Sequence, residues 1–338
     1  MKKALFIGLF AWLAVSCTKE ADDVRPGAIA KNSVTINGVA IDKTAEVYVL
    51  TSPITVSSTS DPVFLDNHAT LNDKGSFYAG TSVTLKPFII GKYEVTQELY
   101  KKVMEGQKVD GYALASEPSQ CLDNLYTPLV DGETQGNRPV DSITWYDAIY
   151  FCNVLSEKSG YTPAYIITVT SITAEHITSA YVSEVADSDG YRLPTGAEWE
   201  FAARGGNPSK TEWNYMFSGS PTGKDTQGDN IPYTAHVNSG IDPVGWYTHN
   251  LNGTSGSHEV GKKNPNSLGL FDMTGNVWEW CFDEEYDTDN NCDGRLERGG
   301  GWQGLDAPFL IVTKKYGVTP EGNSAYYDLG FRIVRSVK

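Results

Sequence analysis

Three helix-start signals, all lying before residue 207, set the strongest limit on what this chain can fold into. In EVTQELYKKVM, Thr96 stands as the N-cap of an amphipathic segment that ends near Glu105 and Gly106. In ITWYDAIYFCNVLSEKSG, Thr144 caps and Asp147 falls at the third helical position. Ala148, Phe151, Cys152 and Leu155 then recur at helical spacing until Gly160. In LPTGAEWEFAARGG, Thr195 and Glu198 form a capping box, and Gly205 follows the last turn. A cap hydroxyl accepts from an otherwise orphaned N–H and the carboxylate three residues on reciprocates, so each spacing predicts a helix with a defined start. Beyond Gly206 such signals become scarce, and Asn, Gly, Ser, Asp and aromatic residues alternate with short apolar runs.

On the N-terminal side, Ser33 to Phe88 reads as short strands such as SVTINGVAI and AEVYVL, separated by Ser, Asp and Gly turns. Few early helices, short strands and a long irregular half together predict an α+β fold with few helices, short strands and long irregular loops. At 338 residues, 40% of them hydrophobic and 12% aromatic, the chain can bury one large core. We read 33–84 as a β-rich N-terminal extension and 85–338 as the main domain.

MKKALFIGLFAWLAVSC opens with two lysines, continues as an apolar run to Val15 and ends on Ser16-Cys17. This is an export signal, too short for a membrane span. Its ending resembles a bacterial lipobox, so 1–17 is expected to be a lipoprotein signal peptide, with Cys17 as the lipidation site and 18–32 as a polar tether. The expected location is the bacterial cell envelope, anchored by lipid to the outer membrane or the cell surface. A net charge of −15 without any basic cluster argues against a nucleic-acid partner. Cys121, Cys152, Cys281 and Cys292 lack metal-ligand spacing, so structural disulfides or buried thiols are expected, with Cys152 on the buried face of its helix.

GKYEVTQELY (91–100), RPVDSITWYDAIYFCN (138–153), YRLPTGAEWEFAARGG (191–206), NPNSLGLFDMTGNVWEWC (264–281), RGG (298–300) and GFRIVRS (330–336) occur in that order. Together they resemble the sulfatase-modifying-factor family, the formylglycine-generating-enzyme variant of the C-type lectin fold. In the catalytic members, the resemblance implies, two cysteines between the RGG and GFR segments hold copper(I), for which thiolates are suitable soft ligands. Here that interval, Gly301 to Leu329, contains no cysteine. Copper and formylglycine generation are therefore not expected. Other members use histidine-held iron, and the five histidines here form no such motif.

The resemblance also implies a calcium site on Asp272, the carbonyls of Gly275 and Val277, and Glu279. Two carboxylates and two carbonyls around a Gly-Asn turn are the hard oxygens calcium takes. Asp287, Asp289 and Asn291 partly imitate an EF-hand loop, but Cys292 stands where glycine is needed, so an exposed acidic loop is expected. Trp278 and Trp280 are expected in the core. Trp302, Gln303, Tyr326 and Tyr327 are the candidates for a ligand face, where aromatic rings stack on sugar or peptide. Arg332 and Arg335 are expected to pair with nearby acids.

These features imply a noncatalytic envelope lipoprotein that binds a protein or glycan partner. Three other readings fit the sequence. One is an enzyme of the same family with unrecognised chemistry, oxidoreductase included, drawing on Gln303, Asp306, Tyr326 or Tyr327. Another is a structural component of a secretion or gliding machine. The third is a displayed variable surface of the kind found in the variable proteins of diversity-generating retroelements, which also resemble this family.

Overall fold

The computed structural model describes residues 34–36, 39–41, 45–65, 69–122, 129–130, 132–221, 239–251, 255–287, 292–304, 307–318 and 326–337. The expected signal segment with Cys17, the expected tether, Asp289 and Asn291 of the EF-hand-like run, and Asp306 lie outside them.

In chain order, the N-terminal part contains β1 (Val34–Ile36), β2 (Val39–Ile41), β3 (Glu46–Tyr48), β4 (Ile54–Ser57), α1 (Leu71–Lys74), β5 (Ser82–Leu85) and β6 (Phe88–Gly91). The helical part follows: α2 (Gln97–Met104), β7 (Lys108–Val109), β8 (Tyr112–Ala113), α3 (Trp145–Lys158), β9 (Tyr165–Thr173), β10 (His176–Glu184), β11 (Tyr191–Arg192) and α4 (Gly196–Ala203). The second half holds β12 (Trp278–Asp287), β13 (Cys292–Arg298), β14 (Tyr316–Val318), β15 (Leu329–Gly330) and β16 (Val334–Ser336), joined by turns and single 3-10 turns. Few helices, mixed sheets and long loops make this an α+β fold.

Two four-stranded sheets organise the molecule, ordered β11-β16-β6-β3 and β14-β13-β12-β15. β3 pairs with β6, Val47 opposite Ile90, and Val47, Val49 and Val56 share a core with Phe88, Trp199 and Cys281. The chain on both sides of residue 85 thus shares one sheet and one core.

The three caps hold their helices as the spacing predicts. Thr96 accepts from Leu99 N–H at 3.2 Å, Thr144 from Asp147 N–H at 3.0 Å and Thr195 from Glu198 N–H at 3.2 Å. Each such cap contributes on the order of 1 kcal/mol. α3 buries Trp145, Phe151, Cys152 and Leu155, and large apolar side chains contribute about 1.5–3 kcal/mol each when fully buried. Cys121, Cys152 and Cys281 are buried free thiols.

β12 lies between two cores. Trp280 packs with α3 and Phe331, with Trp278 partly buried beside it, while Cys281 on the alternate face packs with α4 and β6. Glu279 shares the Cys281 face, so its carboxylate enters the protein and needs a partner. Arg332 supplies one. Its Nη2 donates to Glu279 Oε1 at 2.7 Å and its Nε to Oε2 at 2.8 Å, both residues being fully buried. Trp199 Nε1 adds a third hydrogen bond, to Oε2 at 2.7 Å. The remaining guanidinium hydrogens reach Gly91 O and Phe271 O, each at 2.9 Å. Arg335 lies 3.6 Å from Glu46 across the same sheet, so both arginines of the closing segment serve acids.

The β9–β10 hairpin is fastened to α3 by the capping acid itself. Asp147 Oδ1 accepts from Ile177 N–H at 2.9 Å, and Oδ2 lies 2.6 Å from His176 Nδ1. Burial alone would lower the His176 pKa, but the hydrogen bond and charge of Asp147 outweigh it and hold the imidazole above its ordinary value.

Replacing Arg332 by Met strands Glu279 among apolar groups and is expected to cost about 3–5 kcal/mol in urea unfolding. A loss under about 1 kcal/mol would mean that the buried pair is not the joint described. His176 binds its proton more tightly when folded, so its contribution is complete below the ordinary pKa of about 6.5 and fades as pH rises through the folded value. The stability gap between the native chain and His176→Ala should therefore narrow from acid to alkaline pH. A gap that widens would contradict the pairing.

Candidate functional site

Two places on this frame concentrate chemistry, one buried and one open. The buried one is the turn Asp272–Glu279. Asp272 and Asn276 adopt φ of 56° and 68°, values that Asp and Asn tolerate better than most side chains. Gly275 between them has no alternative, because a Cβ would come within 2.1 Å of Trp246 O.

This turn directs Asp272 inward, where Oδ2 accepts from Gly261 N–H at 2.7 Å. Asp272 Oδ1 is buried and has no hydrogen-bond partner. Glu94, which sequence reasoning missed, completes the cluster from the loop after β6. Its carboxyl accepts from Asn276 Nδ2 at 2.7 Å and from Val277 N–H at 3.1 Å. Burial first, and then the charges of Asp272 and Glu279, push the Glu94 carboxyl well above its ordinary range. The sequence signal was slight, an acid between Tyr93 and Val95 just before Thr96.

Asp272, Gly275, Val277 and Glu279, expected to share calcium, therefore do lie on one turn, but their carboxylates are engaged differently. Glu279 spends both oxygens on Arg332 and Trp199. Asp272 keeps one oxygen free, and an orphaned buried carboxylate oxygen is the atom a hard cation would take.

The open site is a groove of about 280 Å³ lined by Trp278, Glu297, Gln303, Gly304, Phe309, Tyr316 and Asp328. β12 supplies Trp278, β13 supplies Glu297 and β14 supplies Tyr316, while Gln303 to Phe309 and Asp328 come from the arms around them. The Trp278 and Tyr316 rings lie 6.1 Å apart at 39°. The triple glycine lets the backbone in: a Cβ on Gly301 would meet Asp328 Oδ2 at 2.6 Å and Trp278 Cδ1 at 2.9 Å. Burial pushes the Asp328 carboxyl up to about 6, opposed only by its own backbone N–H.

Of the four expected face residues, Gln303, Tyr326 and Tyr327 are exposed, and Gln303 Nε2 donates to Tyr327 Oη at 2.7 Å. Trp302 lies beneath them, 7% exposed, among Cys121, Leu251 and Val277. Its indole N–H donates to Tyr327 O at 3.2 Å, as Cys121 Sγ does at 3.0 Å. Trp302 and Cys121 thus position the face from below. Burial pushes the Cys121 thiol up to about 12, the opposite of an activated cysteine. Trp280 is fully buried in the core, whereas Trp278 reaches the groove.

Comparison with known proteins agrees with this fold. The sulfatase-modifying factor enzyme 1-like domain matches residues 40–337. Chaperone protein LppX of Paenibacillus barcinonensis is 32% identical over 293 residues, covering 83% of this chain and 91% of that protein. The inactive C-alpha-formylglycine-generating enzyme 2 of Bos taurus is 27% identical over 262 residues, covering 74% and 77% respectively. Among solved structures, Treponema denticola variable protein 1 superposes with a TM-score of 0.62 at 29% identity, covering 90% of this chain and 99% of that one. This chain belongs to the sulfatase-modifying factor family, whose members include both formylglycine-generating enzymes and inactive forms.

Proposed function

We propose that this protein is a noncatalytic, lipid-anchored component of the bacterial cell envelope whose groove face binds a polypeptide partner. The observation carrying this reading is that the arm from Gly301 to Leu329, which walls the groove, offers aromatic rings and acids but neither thiol nor imidazole. Without a thiolate there is no soft ligand for copper(I) and no sulfur nucleophile. What remains is a preformed aromatic recess with an exposed rim of Gln303, Tyr326 and Tyr327, suited to contact rather than to bond making. A similar protein named a chaperone and another named inactive support a binding role. The export signal ending on Cys17 supports the envelope location and the anchor.

Peptide selection tests the partner class. The full chain, presented to a random peptide library, is expected to enrich binders that are lost on Tyr327→Glu and Phe309→Glu. Both positions are exposed, so the thermal midpoint should hold. If no peptides are enriched, or both variants retain the binders, the reading fails.

The same reading includes calcium as a brace, held by Asp272 with the carbonyls of Gly275 and Val277, while Glu279 mainly serves Arg332. Bound only by the native state, an ion present at 100 times its Kd adds about 2.7 kcal/mol. Calcium should raise the melting temperature, chelator should reverse the rise, and Asp272→Asn should abolish it. No response, or an equal response in the variant, would remove the ion from the account.

A further inference from the structure

Resting on the binding role just proposed, a narrower inference concerns what the groove grips. Its volume, about 280 Å³, stands at the lower edge of the roughly 300–1,000 Å³ of small-molecule pockets. That space accommodates one long side chain. Its walls are three aromatic residues, Trp278, Phe309 and Tyr316, and its charged members, Glu297 and Asp328, are both acids.

No lysine or arginine lines the groove among the described residues. Of the two lysines next to Tyr316, Lys315 pairs with Glu285 and Lys314 with Asp73, each at 2.8 Å. The Lys314 ammonium also lies 5.6 Å from the Phe309 ring centroid, so a cation already approaches one of the groove's rings from outside its lining. Asp328 is half-buried against the Gly301 backbone, and no lysine or arginine among the described residues pairs with it. A carboxylate so placed is costly until a positive charge arrives.

Ring faces attract cations within about 6 Å of their centroids. A planar guanidinium both stacks on such faces and forks onto carboxylates, which an ammonium does less well. A sugar would need hydroxyl partners on several sides, and among the described lining residues the neutral polar groups are limited to the Gln303 amide, the Tyr316 hydroxyl and the Trp278 indole N–H. We propose that the groove is an arginine subsite, in which an arginine side chain of the partner polypeptide lies between Trp278, Tyr316 and Phe309 and is met by Asp328 and Glu297.

Calorimetric titration of the full chain with N-acetyl-arginine amide tests this, with N-acetyl-citrulline amide as the neutral isostere. The arginine probe should bind about tenfold more tightly, the ratio expected of one charge-assisted contact, and the difference should shrink with salt. The lysine counterpart should fall between the two. Asp328→Asn should erase the preference without lowering the melting temperature, and Phe309→Ala should weaken the arginine probe. Equal binding of the two probes, an intact preference in Asp328→Asn, or no binding at all would overturn the subsite. If arginine fails while the library still yields Tyr327-dependent peptides, the subsite falls and the partner reading stands. If both fail, both are wrong.

Discussion

The pairing of Arg332 with Glu279 is the contact on which the rest of this structure depends. Two charges are removed from water, which is expensive, and the cost is offset only because every strong hydrogen-bonding direction is used. The carboxylate receives the fork of the guanidinium and the indole N–H of Trp199, and the guanidinium also reaches the carbonyls of Gly91 and Phe271. One side chain thereby joins the edge of the β6 strand, the turn before β12 and β12 itself. Because side chains alternate along a strand, locking Glu279 inward also fixes Trp278 on the opposite face, at the floor of the groove. The buried pair and the open recess are two sides of the same register.

β13 and β14 add Glu297 and Tyr316 to the recess, and its remaining walls lie outside the ladder. β12, β13 and β15 carry the hydrogen-bonded ladder. The arms between Gly301 and Leu329 contribute Gln303, Phe309, Tyr326 and Tyr327 at the surface. Trp302 and Cys121 hold the Tyr327 carbonyl from below, so the rim has a defined base without being part of a sheet.

Much of this was legible in the sequence wherever the determinant is local. Thr96, Thr144 and Thr195 announce their helices because the accepting hydroxyl and the donating N–H lie three residues apart. Arg332 and Arg335 could be paired with acids in general, but their particular partners, Glu279 and Glu46, are set by packing between distant segments. Glu94 was invisible for the same reason. Trp302 seemed a surface residue, yet its ring fills the space beneath Tyr327. The β9–β10 hairpin escaped notice because its turn is Ala174-Glu175, both at positive φ, where Asn-Gly would have been the recognisable signal. Its exposed Ile166 and Tyr181, 61% and 77% accessible, blur the alternation further.

The strand order of the first sheet has a bearing on how the chain reaches this state. β16 lies between β6 and β11, although both neighbours precede it in the chain by more than a hundred residues. Until it is inserted, Ile89 and Ile90 of β6 lack their partner on that side, and Arg332, two residues ahead of β16, has not yet reached Glu279. Ordered closure of the sheet therefore waits for β16. Such long-range pairing is slow, so the strands made earlier keep an open edge, with apolar side chains beside it, until that one segment arrives.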